Sequence, residues 1–193
     1  TLFPYTTLFR DRKSVRVGKE CNQAAAAIFS QSPRLSLLKI GREGARVAQV
    51  QTMTFSGALV TGNIINGTVD GVALAPVPFN TSNATTLSDL ATAIQATPGV
   101  ATAVSDGVSA ITITSQNAGV PTFLTGFLVT AGATQPTAAI VTTVQSHGVA
   151  QDLVEISRID NDWYGLIWTE RTAAYVLEAA RAIEAMRRIF ITA

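Results

Sequence analysis

The chain has 193 residues, 47% hydrophobic and only 14% charged. That is enough apolar material for one core or two small ones, with a charge content well under the roughly 25% of ordinary soluble domains. No apolar run reaches the ~18 residues that span a bilayer, and the first residues lack the apolar core and small-residue cleavage site of a signal peptide. The net charge of +1 hides an asymmetry, because residues 1–21 hold five basic against two acidic side chains and the remainder nine against eleven. The body therefore offers no basic surface for nucleic acid. Cys21 is the single cysteine, which excludes an intrachain disulfide and gives no metal cluster. So thinly charged a surface sets up little repulsion between copies and suits a chain that works in an assembly.

Residues 1–21 differ in texture from the rest of the chain. Thr1–Arg10 contains Thr-Leu-Phe twice, and Arg12–Cys21 is basic without a clear period. This head resembles the peptide obtained when sequencing-adapter DNA is translated, which implies a foreign head and a missing native N-terminus. The competing reading is a basic, nucleic-acid-binding arm. From Asn22 the texture changes. Gln23–Phe29 is Ala-rich and reads as helix, Ser32-Pro33 breaks it, and Leu35–Ile40 is a short strand ending at Gly41-Arg42. Val47–Phe55 alternates Val47, Gln49, Gln51 and Met53 against Ala48, Val50, Thr52 and Thr54, the period of a strand.

Asn63–Val69 reads as a strand, Asp70-Gly71 as a tight hairpin turn and Val72–Phe79 as its partner. Pro76 and Pro78 cannot donate to a ladder, which places that partner at an edge. Asn80–Thr85 is polar loop. Thr86 is expected to cap a helix with the stripe Leu87, Leu90, Ala91 and Ile94, ended by Pro98-Gly99. Val100–Val104, a turn at Asp106-Gly107, Ala110–Ser115, Phe123–Thr130 and Ala138–Val144 complete a sheet with one helix.

After His147-Gly148 the order is helix, strand, helix, strand. Val149–Ile159 is amphipathic, with Val149, Leu153, Ile156 and Ile159 on one stripe. Trp163–Trp168 has the composition of a strand buried on both faces, Trp163, Gly165 and Ile167 on one and Tyr164, Leu166 and Trp168 on the other. Thr172 can cap a helix with the stripe Ala173, Val176, Leu177, Ala180 and Ile183. Arg187 and Arg188 are expected in its last turn, where positive charge suits the helix dipole. Ile189–Ile191 is a second strand, so the stretch forms a βαβ unit with parallel strands. A parallel pair with one crossover helix is not a finished domain, which marks the chain as a fragment.

Nothing in the chain assembles an active site. His147 stands beside a glycine in a loop, the setting of a solvated linker residue rather than of a base. No Ser lies in a Gly-x-Ser-x-Gly frame. Asp160 and Asp162 flank Asn161 without the further ligands of a calcium loop, and read as turn formers. Gly41–Gly44 and Gly57–Gly62 lack the phosphate-loop pattern. Asn66-Gly-Thr68, Asn80-Thr-Ser82 and Asn83-Ala-Thr85 match the glycosylation acceptor pattern, which chance supplies in a Thr-rich chain. Trp163, Tyr164 and Trp168 can stack a ligand, but read as core. No residue is assigned a catalytic, cofactor-binding or metal-binding role, and the chain reads as no enzyme.

Several blocks occur in a familiar order: Ala27–Pro33, Leu38–Arg42, Phe55-Ser-Gly57 with Thr68–Val72, Thr85-Thr-Leu87 with Leu90, Ala91, Ala93 and Ile94, and Asn161–Leu166. In that order they resemble the tail-sheath proteins of contractile-tailed bacteriophages, from about Asn22 to Ala193. Asp162-Trp-Tyr-Gly-Leu166 is the most specific piece. The resemblance implies a structural virion protein whose subunits self-assemble into a helical sheath around the tail tube, meet the tail-tube protein and the baseplate, and contract to drive the tube into the host. It implies a place in the virion's tail, with assembly in the host cytoplasm, and no membrane insertion. It also implies further strands and a C-terminal arm beyond Ala193.

The expected fold class is α+β. A β-rich insert domain, a sheet or sandwich with one helix, occupies residues 47–146. It is attached to an incomplete α/β core, made of residues 22–46 and 147–193 and ending in the βαβ unit, with residues 1–21 as the non-native head. The alternative function is a β-rich binding module of a phage tail fibre or surface adhesin, which accounts for residues 47–146 but not for the α/β end.

Overall fold

The computed structural model describes residues 5–10, 23, 26, 30, 38–159 and 161–192. The fold is α+β, and the chain divides into two compact units, one of Thr1–Arg46 with His147–Ala193 and the other of Val47–Ser146. The single cysteine, Cys21, lies outside the described residues, as does most of the Ala-rich segment 23–29.

In the first unit the strands are β1 (Tyr5–Arg10), β2 (Leu38–Arg42), β11 (Trp163–Trp168) and β12 (Ile189–Thr192). They form one sheet in the order β12-β11-β1-β2, every pair parallel. The expected parallel βαβ unit is thus present, with β12 directly beside β11. Tyr5–Arg10, within the segment that reads from sequence as a foreign head, lies between β11 and β2. The strand expected over Leu35–Ile40 runs on through Gly41 and Arg42, and its first three residues lie outside the described residues.

Two helices whose limits lie among the described residues belong to this unit, α2 (Val149–Ile159) and α3 (Ala173–Ala185). Val149 and Leu153 of α2 join Trp163, Leu166 and Trp168 of β11 and Ala179 and Ile183 of α3 in one buried cluster. Strand β11 is buried at every position except Tyr164, which is exposed. Four side chains depart from the expected stripes, Ala173 among them, which is exposed. Ile159 is 79% and Leu177 51% exposed, and Ala179 replaces Leu177 on the core face of α3. On α3 the reason is phase: at about 100° per residue the stripe Val176, Ala179 and Ile183 is centred roughly 100° round the helix from Ala173 and Leu177, and the cluster selects the first set.

The end of α3 also differs from expectation. The helix stops at Ala185, and Arg187 lies beyond it with φ +56°. The Arg188 amide donates to the Ile183 carbonyl and the Arg187 amide to the Glu184 carbonyl. This is the left-handed helix stop usually made by glycine. It reverses the chain within three residues so that β12 can start at Ile189.

The second unit contains no Lys, Arg, Glu or His, and its only charged side chains are Asp70, Asp89 and Asp106. Its strands are β3 (Val50–Phe55), β4 (Ile64–Val69), β5 (Val72–Ala73), β6 (Val77–Pro78), β7 (Val100–Ser105), β8 (Ala110–Ser115), β9 (Leu124–Thr130) and β10 (Ala138–Val144), and its helix is α1 (Asn83–Gln95). One antiparallel sheet has the order β10-β3-β8-β7. In the other, β4 is flanked by β9 on one side and by β5 and β6 on the other. The expected long partner strand 72–79 is therefore two short pieces, interrupted at residues 74–76, where Pro76 has no amide to give a ladder. They do lie at the edge.

Both sheets and α1 share one core, in which Met53, Ile65, Leu87, Leu90, Ile94, Ile111 and Ile113 are no more than 1% exposed. Each such side chain contributes ~1.5–3 kcal/mol by leaving water. The hairpin turn Asp70-Gly71 has φ of +50° and +79°, the mirror-image turn that matches strand twist. At Gly67 a Cβ would fall 2.7 Å from the Phe127 ring, so the ring covers bare backbone there. Helix α1 starts four residues earlier than expected. Its cap is Ser82, whose hydroxyl accepts from the Thr85 amide at 3.2 Å. Thr86, the expected cap, is buried in the first turn and donates to the Ser82 carbonyl at 2.8 Å.

This packing generates two predictions. Trp163 is 4% exposed, so Trp163→Ala should lower the unfolding free energy by about 3–5 kcal/mol in urea titrations. Asp106 accepts from the amides of Val108, Ser109 and Ala110 at 2.8–2.9 Å. The Ala110 amide first, then those of Val108 and Ser109, hold its carboxyl below the ordinary carboxylate range. A depressed folded pKa stabilises above the unfolded value, and that share is lost as pH falls through the folded one. Asp106→Ala should therefore lower Tm at pH 6, and the gap to the unsubstituted chain should shrink below about pH 4 in calorimetry.

Candidate functional site

The positions singled out in the sequence do not converge. Asp160 lies outside the described residues. Asn161 meets Arg188, whose Nη2 donates to the Asn161 carbonyl at 3.1 Å and to its side-chain oxygen. The same guanidinium lies 3.6 Å over the Trp163 ring. Trp163 is thereby sealed into the core cluster, and Trp168 is 2% exposed, which leaves neither ring a face for a ligand. Tyr164 is the one exposed aromatic of the strand. Asn83 accepts from the Leu59 amide and donates to the Val108 carbonyl, pinning two loops. Asn66 sits within β4, and Asn80 donates to Asp89 at 2.8 Å.

What the fold does bring together is a polar group that local sequence signals did not mark. Arg46 donates to both carboxylate oxygens of Glu43, at 2.6 and 2.7 Å, and Glu43 is 2% exposed. The Arg46 guanidinium lies 3.6 Å over the Tyr175 ring and 3.8 Å from Glu170. Glu170 in turn accepts from the amide and hydroxyl of Thr172 at the start of α3. Thr172 caps the helix with its position, while its hydroxyl is turned back to Glu170. Nearby in sequence, the Gly44 amide donates to Asp152 Oδ2 at 2.8 Å, and Asp152 Oδ1 lies 3.7 Å from His147 Nε2.

His147 is therefore no isolated linker residue, since it has a carboxylate partner. Its Nδ1 is buried without a hydrogen-bond partner among the described residues. An imidazole beside a carboxylate orients a base only if a nucleophile is in reach, and no hydroxyl or thiol among the described residues bonds to it. Among those residues no three His, Cys, Asp or Glu are grouped to hold a metal ion, and no helix is long and apolar enough to cross a membrane. Glu178 on α3 has its carboxyl raised by burial, with Arg181 opposing. The geometry suits holding backbone in place.

No protein-family model matches the chain, and no curated protein matches it.

Arg46→Ala would remove both bonds to Glu43 and the ring contact with Tyr175. The expected cost is about 3 kcal/mol, since a carboxylate at 2% exposure loses its guanidinium. Both tryptophans lie in this unit, so their fluorescence during urea unfolding is the appropriate readout.

Proposed function

We propose that this chain is part of a structural virion protein, a subunit of the contractile tail sheath of a bacteriophage. In this reading it polymerises around the tail tube, meets the tube protein and the baseplate, and contracts to drive the tube into the host. It assembles in the host cytoplasm and ends in the virion. The residues that carry the resemblance are scaffold positions. Trp163–Leu166 lie in β11, Thr68–Val72 form the β4–β5 hairpin, and Leu87, Leu90, Ala91 and Ile94 are the core face of α1.

The observation that carries the reading is the edge of the parallel sheet at β12. Free edges are templates for another chain, and proteins that stay apart blunt them with charge, proline, bulges or brevity. The second unit blunts its edges without charge. Strands β5 and β6 have two residues each, Pro78 lies in β6, and the ladders of β7 and β10 carry register shifts. Among the described residues strand β12, Ile-Phe-Ile-Thr, pairs only with β11, in an unbroken register and without charge or proline, and Ile189 and Ile191 are 43% and 51% exposed. Adding a strand there is a general mode of assembly.

To test this, the reading frame is extended in both directions from overlapping reads and its full product expressed. Tubes or rings in negative-stain electron microscopy are the expected result. Monomers alone, across a wide range of protein concentration, would defeat the proposal.

A further inference from the structure

The two places where the chain passes between its units are Arg46–Val47 and Ser146–His147. On the first unit's side, the segments next to both crossings are tied to each other by Asp152. Its Oδ2 holds the Gly44 amide at 2.8 Å, across 108 positions of sequence, and its Oδ1 lies 3.7 Å from His147. Helix α2 keeps Asp152 in place: the Gly148 carbonyl accepts the Asp152 amide at 3.1 Å, and Gln151 accepts the Gly148 amide at 3.0 Å. The fit at Gly44 is close, since a Cβ there would lie 3.2 Å from both Asp152 Oδ1 and His147 Cε1.

We infer that Asp152 is a clasp that ties together the first unit's two crossing segments, and that opening it is the local event that exposes the Arg46–Val47 peptide bond. That bond is restrained on both sides. Arg46 is held by Glu43 and Tyr175, and the Val47 carbonyl accepts the Gly119 amide at 2.9 Å. A protease needs an extended stretch of free backbone, so cleavage there reads the population of the opened clasp. Arg158 offers an internal reference, because its side chain is held by an exposed pair with Glu155 in the last turn of α2. Between Arg46 and Arg158 there is no Lys or Arg, so trypsin can cut nowhere in between.

The test is limited trypsin digestion of the whole chain followed by mass spectrometry, scoring cleavage after Arg46 relative to cleavage after Arg158. Asp152→Ala leaves the Gly44 amide without its acceptor and should raise the ratio roughly tenfold or more. Asp152→Asn, which keeps an acceptor and loses the charge, should fall between. Gly44→Ala, which crowds Asp152 and His147 from the opposite side, should raise the ratio too. Equal acceleration at both sites, as loss of the whole fold would give, overturns the clasp, and so does an unchanged ratio in Asp152→Ala and Gly44→Ala. Neither result bears on sheath assembly, which the microscopy above addresses separately.

Discussion

No ion pair can form inside residues 47–146, because that unit has three carboxylates and no basic side chain. The constraint shapes everything about it. Turns and loops are held by amide and hydroxyl groups instead. Asn63, 1% exposed, accepts from the Val60 amide and donates to the carbonyls of Ala131 and Thr134. Gln49 accepts from the buried Thr122 amide at 2.8 Å, and Ser115 accepts from the Gln49 amide at 2.9 Å. Asp70 accepts from the Phe123 amide at 2.7 Å, as Asp106 does from its own turn. Each buried bond of this kind avoids the cost of an unpaired polar group, about 1–3 kcal/mol. Neutral amide and hydroxyl groups, with the carboxylates of Asp70 and Asp106 on backbone amides, therefore do the positioning that ion pairs do in ordinary domains.

The first unit is built on the opposite plan. Its sheet is parallel and its central strand β11 is apolar on both faces, so helices must cover it. Its loops are fixed by charge: Glu43 with Arg46, Glu170 at the start of α3, Asp152 on the Gly44 amide, and Arg188 across Asn161 and Trp163. The Glu43–Arg46 and Gly44–Asp152 bonds are partly buried, which is where charged hydrogen bonds are strongest. The polar groups sit at chain crossings and at the ends of helices and strands. An arrangement of this kind stabilises a shape, and the buried aromatic residues of β11 pack in its core.

Strands are legible in the sequence where the period-two pattern is uninterrupted. Ala110–Ser115, Ala138–Val144 and Trp163–Trp168 have the limits that their pattern predicts, and so does the helix Val149–Ile159. Boundaries fail where two groups compete for one role. Ser82 and Thr86 both have hydroxyls suited to capping, and the core took Thr86 because its methyl could be buried with Leu87 and Leu90. Leu177 is the more apolar candidate for the inner face of α3, but the close approach of α2 and β11 favours the smaller Ala179 there.

By itself the sequence determined the α+β class, the paired hairpin at Asp70-Gly71, the apolar stripe of α1 and the parallel pairing of β11 with β12, because these depend on periodicity and on residues adjacent in the chain. Tertiary structure alone decided that β4 is flanked on both sides, that the two sheets of residues 47–146 share one core with α1, and that Arg46, Tyr175 and Glu170 meet. The physical reason is distance along the chain. Gly44 and Asp152 stand 108 positions apart, and a lone glycine and a lone aspartate carry no pattern that announces a partner. Only the closure of the first unit, bringing the segments beside both crossings to one place, makes them neighbours.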